Sequence, residues 1–178
     1  MKNYITFLFG VLLMLSSCNN TQSVTQTVET KIGIEITDDG TKLPLIAGEL
    51  STIELWENYI KAHNERDVET IRELNSENIR VWGPRGEYVD GTDAHIEFLT
   101  QWFNDNSPKW ETNYLIANEL TNQDGERRQW VTSGSDITLS VEGQEVKAVQ
   151  VHDALISDGK VQMFFVYERV KQDNENIN

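Results

Sequence analysis

Residues 56–67 read Trp56-Glu57-Asn58-Tyr59-Ile60-Lys61-Ala62-His63-Asn64-Glu65-Arg66-Asp67, and their apolar spacing sets the architecture around them. Ile53, Trp56, Ile60 and His63 recur at helical intervals, and Leu55, Tyr59 and Ala62 widen the stripe into a face fit for burial. Ser51 stands at an N-cap position with Glu54 three residues on, the two halves of a capping box. Asp67 then caps a second, shorter helix carrying Val68, Ile71 and Leu74.

Toward the C-terminus, Ile79-Arg80-Val81-Trp82 alternates like a strand and stops at the turn Gly83-Pro84-Arg85-Gly86. Tyr88-Val89-Asp90-Gly91-Thr92 leads into a third helix with Ile96, Leu99, Trp102 and Phe103, ended by Asn106-Ser107-Pro108. Everything beyond reads as strands: Trp110 to Leu120, Arg127 to Val141, Val146 to Ile156 and Val161 to Arg169. A bulge is expected at Ser133-Gly134-Ser135. Glu142-Gly143 and Asp158-Gly159 are tight hairpin turns, because Gly tolerates the positive φ that such turns require. A two-residue turn at Asp158-Gly159 sets His152 opposite Phe165 and puts Met163, Phe165 and Tyr167 on the face of Gln150, His152 and Ala154. Three helices followed by a four-strand antiparallel meander, with one earlier strand, is an α+β layout over residues 51–170.

Toward the N-terminus the chain changes character. Lys2 precedes an apolar run, Ile5 to Leu15, then Ser16-Ser17-Cys18 and abruptly polar sequence. A basic start, an apolar core and small residues describe a secretory signal over 1–17. The run is shorter than the roughly 20 residues of a membrane-spanning helix. Leu15-Ser16-Ser17-Cys18 resembles a bacterial lipobox, which implies a lipid on Cys18, an extracytoplasmic location in the cell envelope and contact with the membrane through that lipid. A plain signal peptide with an incidental cysteine is the alternative. Residues 19–27 are polar and without period, a flexible tether. Within 31–50, Ile32, Ile34 and Ile36 alternate and Asp38-Asp39-Gly40 suits a turn, so this piece either adds a strand to the domain or continues the tether. The tail 171–178 is polar and expected to fray.

The net charge of -14 repels phosphate backbones, so nucleic acid is not an expected partner. With the single cysteine assigned to lipid, no disulfide, zinc cluster or thiol nucleophile is available. Three histidines on different elements, without His-x-His spacing or paired carboxylates, point away from a metal site. No cofactor-binding motif is present, neither a Gly-rich phosphate loop nor a Gly-x-Ser-x-Gly elbow.

The element order resembles the NTF2-like superfamily, which includes SnoaL-like polyketide cyclases and ketosteroid isomerases. Residues 56–67 look like its first helix, Val89 to Ala94 like the lead into its third, and Leu155 to Val161 like its final hairpin. The resemblance implies a cone: helices packed in a strongly curved, mostly antiparallel sheet around a pocket. A ketosteroid isomerase needs a carboxylate base and an oxyanion hole made of a tyrosine and a protonated acid, as that enzyme itself illustrates. By resemblance the tyrosine is Tyr59, the acid position falls on or near His152, and the base position falls on Gly83, which can abstract no proton.

His152 and Tyr59 are therefore the candidate catalytic pair, with His152 either a pocket acid/base or a core histidine satisfied by a hydrogen bond. Asp153 points to the opposite face and cannot join His152 in a dyad. Candidate ligand contacts are Trp56, Trp82, Phe165, Tyr167 and Asp90, with Asp90 equally a turn or cap carboxylate. His63 either points into the pocket mouth or ends the helix, where a cation favours the dipole, and the helix-ending reading is preferred. Three functions stay open: binding of a small apolar molecule, SnoaL-like enzymology (isomerase, cyclase or hydrolase), and a homodimeric envelope module paired through the outer sheet face.

Overall fold

The computed structural model describes residues 29–172, 174 and 175. The expected signal 1–17, Cys18 and the tether 19–27 lie outside the described residues. The chain runs β1 (Lys31–Ile36), β2 (Lys42–Ala47), α1 (Leu50–Glu65), α2 (Val68–Leu74), β3 (Asn75–Trp82), β4 (Tyr88–Asp90) and α3 (Thr92–Asn106). It continues with β5 (Lys109–Thr121), β6 (Arg127–Val141), β7 (Gln144–Ser157) and β8 (Lys160–Val170). All eight strands form one curved sheet in the order β1-β2-β5-β6-β7-β8-β3-β4. Every neighbouring pair is antiparallel except β3 and β8, which run parallel. This is the α+β architecture expected, with a longer sheet.

The helical face of residues 53–63 is buried as its spacing requires: Trp56, Tyr59, Ile60, Ala62 and His63 all face the core. The capping box does not form. The helix begins two residues earlier, at Leu50, and Glu49 holds the cap position, where its backbone carbonyl accepts from the Thr52 hydroxyl at 2.7 Å. Arg66 ends α1 in the left-handed region at φ 61°, and Asp67 caps α2 by accepting from the Thr70 amide at 3.0 Å. Asn64 locks the end of α1 to the start of β5, donating to the Trp110 carbonyl and accepting from its amide.

Residues 31–47 are a hairpin of two strands, and β2 pairs with β5 at Ile46 and Ala47. This segment adds a hairpin at the sheet edge, and just beyond it Gly48 seats against the backbone of Ala117 and Asn118, where a Cβ would collide. The irregularity expected at Ser133-Gly134-Ser135 lies instead in the partner strand. β5 carries an extra residue between Thr112 and Tyr114, while β6 pairs with β7 without a break. Gly134 has a different duty: the Tyr114 ring lies over it, in space a side chain would fill.

The last hairpin departs from expectation in a way that matters for the site. Asp158 and Gly159 turn at φ 53° and 69°, as a two-residue turn requires. Past the turn, the register then slips between Leu155 and Ile156, where Gln162 is extra and its side chain donates to the Ser157 carbonyl at 3.0 Å. His152 therefore opposes Val166, not Phe165. A one-residue slip exchanges the two faces of a strand, so Phe164, Val166 and Glu168 turn inward.

Candidate functional site

Between α1, α3 and the concave sheet face lies a cavity of about 120 Å³, several times what one water needs (~10–15 Å³). α1 contributes Trp56, Tyr59, Ile60 and His63, and α3 contributes His95, Leu99 and Trp102. The strands add Val81, Leu139, Gln150, His152, Phe164 and Val166.

The closed end is built from polar groups that no local signal brings together. Tyr59 is wholly buried and donates its hydroxyl to Asn75 Oδ1 at 2.6 Å. The Asn75 amide in turn donates to His95 Nδ1 at 3.1 Å, which leaves the His95 proton on Nε2. His63 donates from Nδ1 to the Tyr59 carbonyl at 2.8 Å. The His63 ring lies 4.5 Å from that of Tyr59 and 6.2 Å from that of His95. His152 packs on Trp56 at 5.8 Å, and its Nδ1 is buried with no hydrogen-bond partner. Trp56 itself donates to Ser133 Oγ at 2.9 Å.

Burial holds these groups uncharged. It lowers His95 and His152 to about 3, with the nearby His63 acting in the same direction. It lowers His63 to about 4, and the Arg66 charge adds to burial while the bond to the Tyr59 carbonyl opposes it. Burial also raises the Tyr59 hydroxyl well above its usual range, so it keeps its proton. An imidazole near 3 is a weak base at neutral pH, because efficient proton transfer wants a group titrating near the working pH.

The open end is charged. Arg85 and Glu87 reach it from the turn before β4, and Glu168 from β8. Glu168 accepts from Arg85 at 3.3 Å and from Gln150 at 2.7 Å, and Gln150 accepts from the Trp110 indole at 2.8 Å. Glu87 accepts from the Arg85 amide at 2.8 Å. Its Oε2 stands 2.5 Å from where a Cβ on Gly83 would sit. A carboxylate thus occupies the space beside Gly83, delivered from four residues on.

Of the residues singled out from sequence, Tyr59, His152 and Trp56 meet at this cavity. The other four lie off it. Phe165 is carried to the outer face by the slip at Gln162, where it stacks on Trp82 at 4.7 Å with the planes 19° apart. Tyr167 shares that face and is 56% exposed. Trp82 packs on Tyr88, and Asp90 ends β4 in the open. His63 is not a helix-ending cation: it is buried and neutral, because the helix stripe that includes Trp56 and Ile60 continues through it. Sequence reasoning missed His95, although it sits four residues before Leu99 on the same stripe of α3. Asn75 and Glu168 gave no signal, since each matters only through partners distant in sequence, whereas Gln150 was legible only as sharing the face of His152. Among the described residues no cluster of His, Cys, Asp and Glu could hold a metal ion.

No protein-family model matches the chain, and no curated protein does. Solved structures do match its fold. An LEH-like epoxide hydrolase from M. tuberculosis is 13% identical, with 67% of this chain and 83% of that chain covered and a TM-score of 0.56. A candidate SnoaL-like polyketide cyclase from Jannaschia sp. CCS1 is 16% identical, covering 67% and 86% at a TM-score of 0.54. A candidate ketosteroid isomerase from Kribbella flavida DSM 17836 is 15% identical, covering 71% and 84% at 0.54. At these identities the likeness is one of fold: the chain shares the α+β scaffold of these proteins, and one scaffold hosts unrelated activities.

Proposed function

We propose that this domain binds a small, largely apolar molecule in the cavity, held outside the cytoplasm by a lipid on Cys18. One observation carries the binding reading: the cavity combines apolar walls with polar groups that are already neutral and mostly hydrogen-bonded to one another. Such a site recognises a ligand by shape and a few hydrogen bonds, without moving protons. The weak basicity of its imidazoles favours binding over proton-transfer chemistry by His152. The test is a thermal-shift screen of the purified chain against apolar metabolites, repeated with Leu99→Trp to fill the cavity. A rise in Tm that the variant abolishes supports binding; no rise with any compound, or a rise that survives the substitution, removes it.

The anchoring reading is supported by the order of Lys2, the apolar run, Ser16-Ser17 and Cys18. Mass spectrometry of the mature N-terminus checks it, with an acylated Cys18 expected and an unmodified, uncleaved terminus as the contrary result. A second reading, SnoaL-like enzymology with His152 and Tyr59, draws on the unpartnered Nδ1 of His152 in the cavity wall. Substrate turnover that falls at least a hundredfold in His152→Ala would favour it over binding alone. A homodimer through the outer sheet face draws on the exposed Tyr114, Ile116 and Tyr167, and sedentation of the chain as a monomer at high concentration in ultracentrifugation would count against it.

A further inference from the structure

The side chains lining the cavity carry an uneven charge. Its closed end holds Tyr59, His63, His95 and His152, none of which offers a positive charge to a ligand at neutral pH. The open end holds two carboxylates, Glu87 and Glu168, and one guanidinium, Arg85. That guanidinium is already engaged with Glu168, and its side chain is 72% exposed, so it is the member of the set that belongs most to solvent. Glu168 is 14% exposed and reaches inward to Gln150. Glu87 spends one hydrogen bond on the Arg85 amide, and a carboxylate has about four lone-pair positions. The wall therefore has spare acceptors and an excess of negative charge at one end only.

We propose that the occupant of this cavity is an apolar molecule bearing a protonated amine, its body against Trp56 and Phe164 and its ammonium at Glu87 and Glu168. The proposal rests on the binding reading above and adds the charge class of the ligand. An ammonium supplies the three donors that spare carboxylate lone pairs accept, in charge-assisted bonds. A carboxylate ligand would lose its water beside two like charges, and the one cation of the lining, Arg85, is already paired with Glu168. The chain's net charge of -14 acts in the same sense over longer range, concentrating cations and repelling anions. The unpartnered, buried nitrogen of His152 gives the same cavity an unused polar group at depth, so a second, uncharged polar atom on the ligand's body has a place to bond.

The experiment compares three probes with one skeleton, 4-phenylbutylamine, 4-phenylbutanol and 4-phenylbutyrate, by calorimetric titration into the full chain at low and at physiological salt. The amine is expected to bind about tenfold tighter than the alcohol, with the carboxylate weaker still and the amine's advantage shrinking as salt rises. Glu87→Gln and the double variant with Glu168→Gln are expected to bring the amine down to the alcohol's affinity. Glu87 makes one hydrogen bond in an exposed turn, so its substitution is the one that least disturbs the fold. Carboxylate binding equal to or tighter than the amine's overturns the charge assignment and leaves the binding reading intact. An amine preference unchanged in both variants overturns it too. If none of the three binds while the chain is folded by circular dichroism, the binding reading falls and this proposal with it.

Discussion

The Tyr59 hydroxyl donates a hydrogen bond to Asn75 Oδ1 at 2.6 Å, inside a region closed to water. A tyrosine bonded in this way is committed to the framework: its donor is used, and the Asn75 amide passes the connection on to His95. Removing the hydroxyl strands a buried acceptor, which costs about 1–3 kcal/mol. Tyr59→Phe is therefore expected to lower unfolding stability by that amount in urea denaturation. A loss below about 0.5 kcal/mol would show that Asn75 has another partner.

Acid should unfold this domain early. The three histidines titrate in the folded state at about 4, 3 and 3, below the usual 6.5, so the unfolded chain takes up protons first. Stability is then complete above pH 6.5, falls as pH drops through that value, and keeps falling until the folded imidazoles themselves protonate near 3 to 4. At pH 5 each contributes a loss of about 2 kcal/mol, and the three together about 6, comparable with the whole stability of an ordinary domain. His152→Leu should flatten the slope of stability against pH by about a third. The imidazole C2–H resonances of the folded protein should not titrate above pH 5.

The register of the last hairpin separates two adjacent phenylalanines. Phe164 is buried against Trp56 and Tyr59 in the cavity wall, whereas Phe165 stacks on Trp82 outside. Phe164→Ala is expected to cost about 3–5 kcal/mol and to abolish binding of any cavity ligand. Phe165→Ala, on the face that stays partly exposed, should cost less and leave ligand affinity within about twofold, because no atom of the cavity wall is lost. Equal effects of both substitutions on affinity would contradict the register.

Gly134 and Tyr114 form a cross-strand pair in which the ring lies where a Cβ would be. Gly134→Ala must push the Tyr114 ring off the sheet. The expected cost is about 1–3 kcal/mol, the range for overpacking, and most of it should vanish when Tyr114→Ala is made first. A double-mutant cycle with no coupling would rule out the contact.

Helices and hairpins could be read directly from the chain because their causes are local. The stripe from Ile53 to His63 can be buried only as a helix, and Glu142-Gly143 and Asp158-Gly159 supply the positive φ that reverses a strand within two residues. The cone was what the resemblance carried by that order of elements implied. The cavity lining did not, since one extra residue, Gln162, turned Phe165 and Tyr167 out and Phe164 and Glu168 in. A bulge costs little in local terms and leaves almost no mark on composition, yet it inverts every side chain beyond it. The same holds for the histidines. Along the chain His63, His95 and His152 are three isolated residues; folding α1, α3 and β7 around Tyr59 and Phe164 makes them neighbours and removes them from water. Desolvation is a property of the packed interior, not of a residue's neighbours in sequence, so their neutrality and the negative charge confined to the Glu87–Glu168 end exist only once the sheet has curved around the helices.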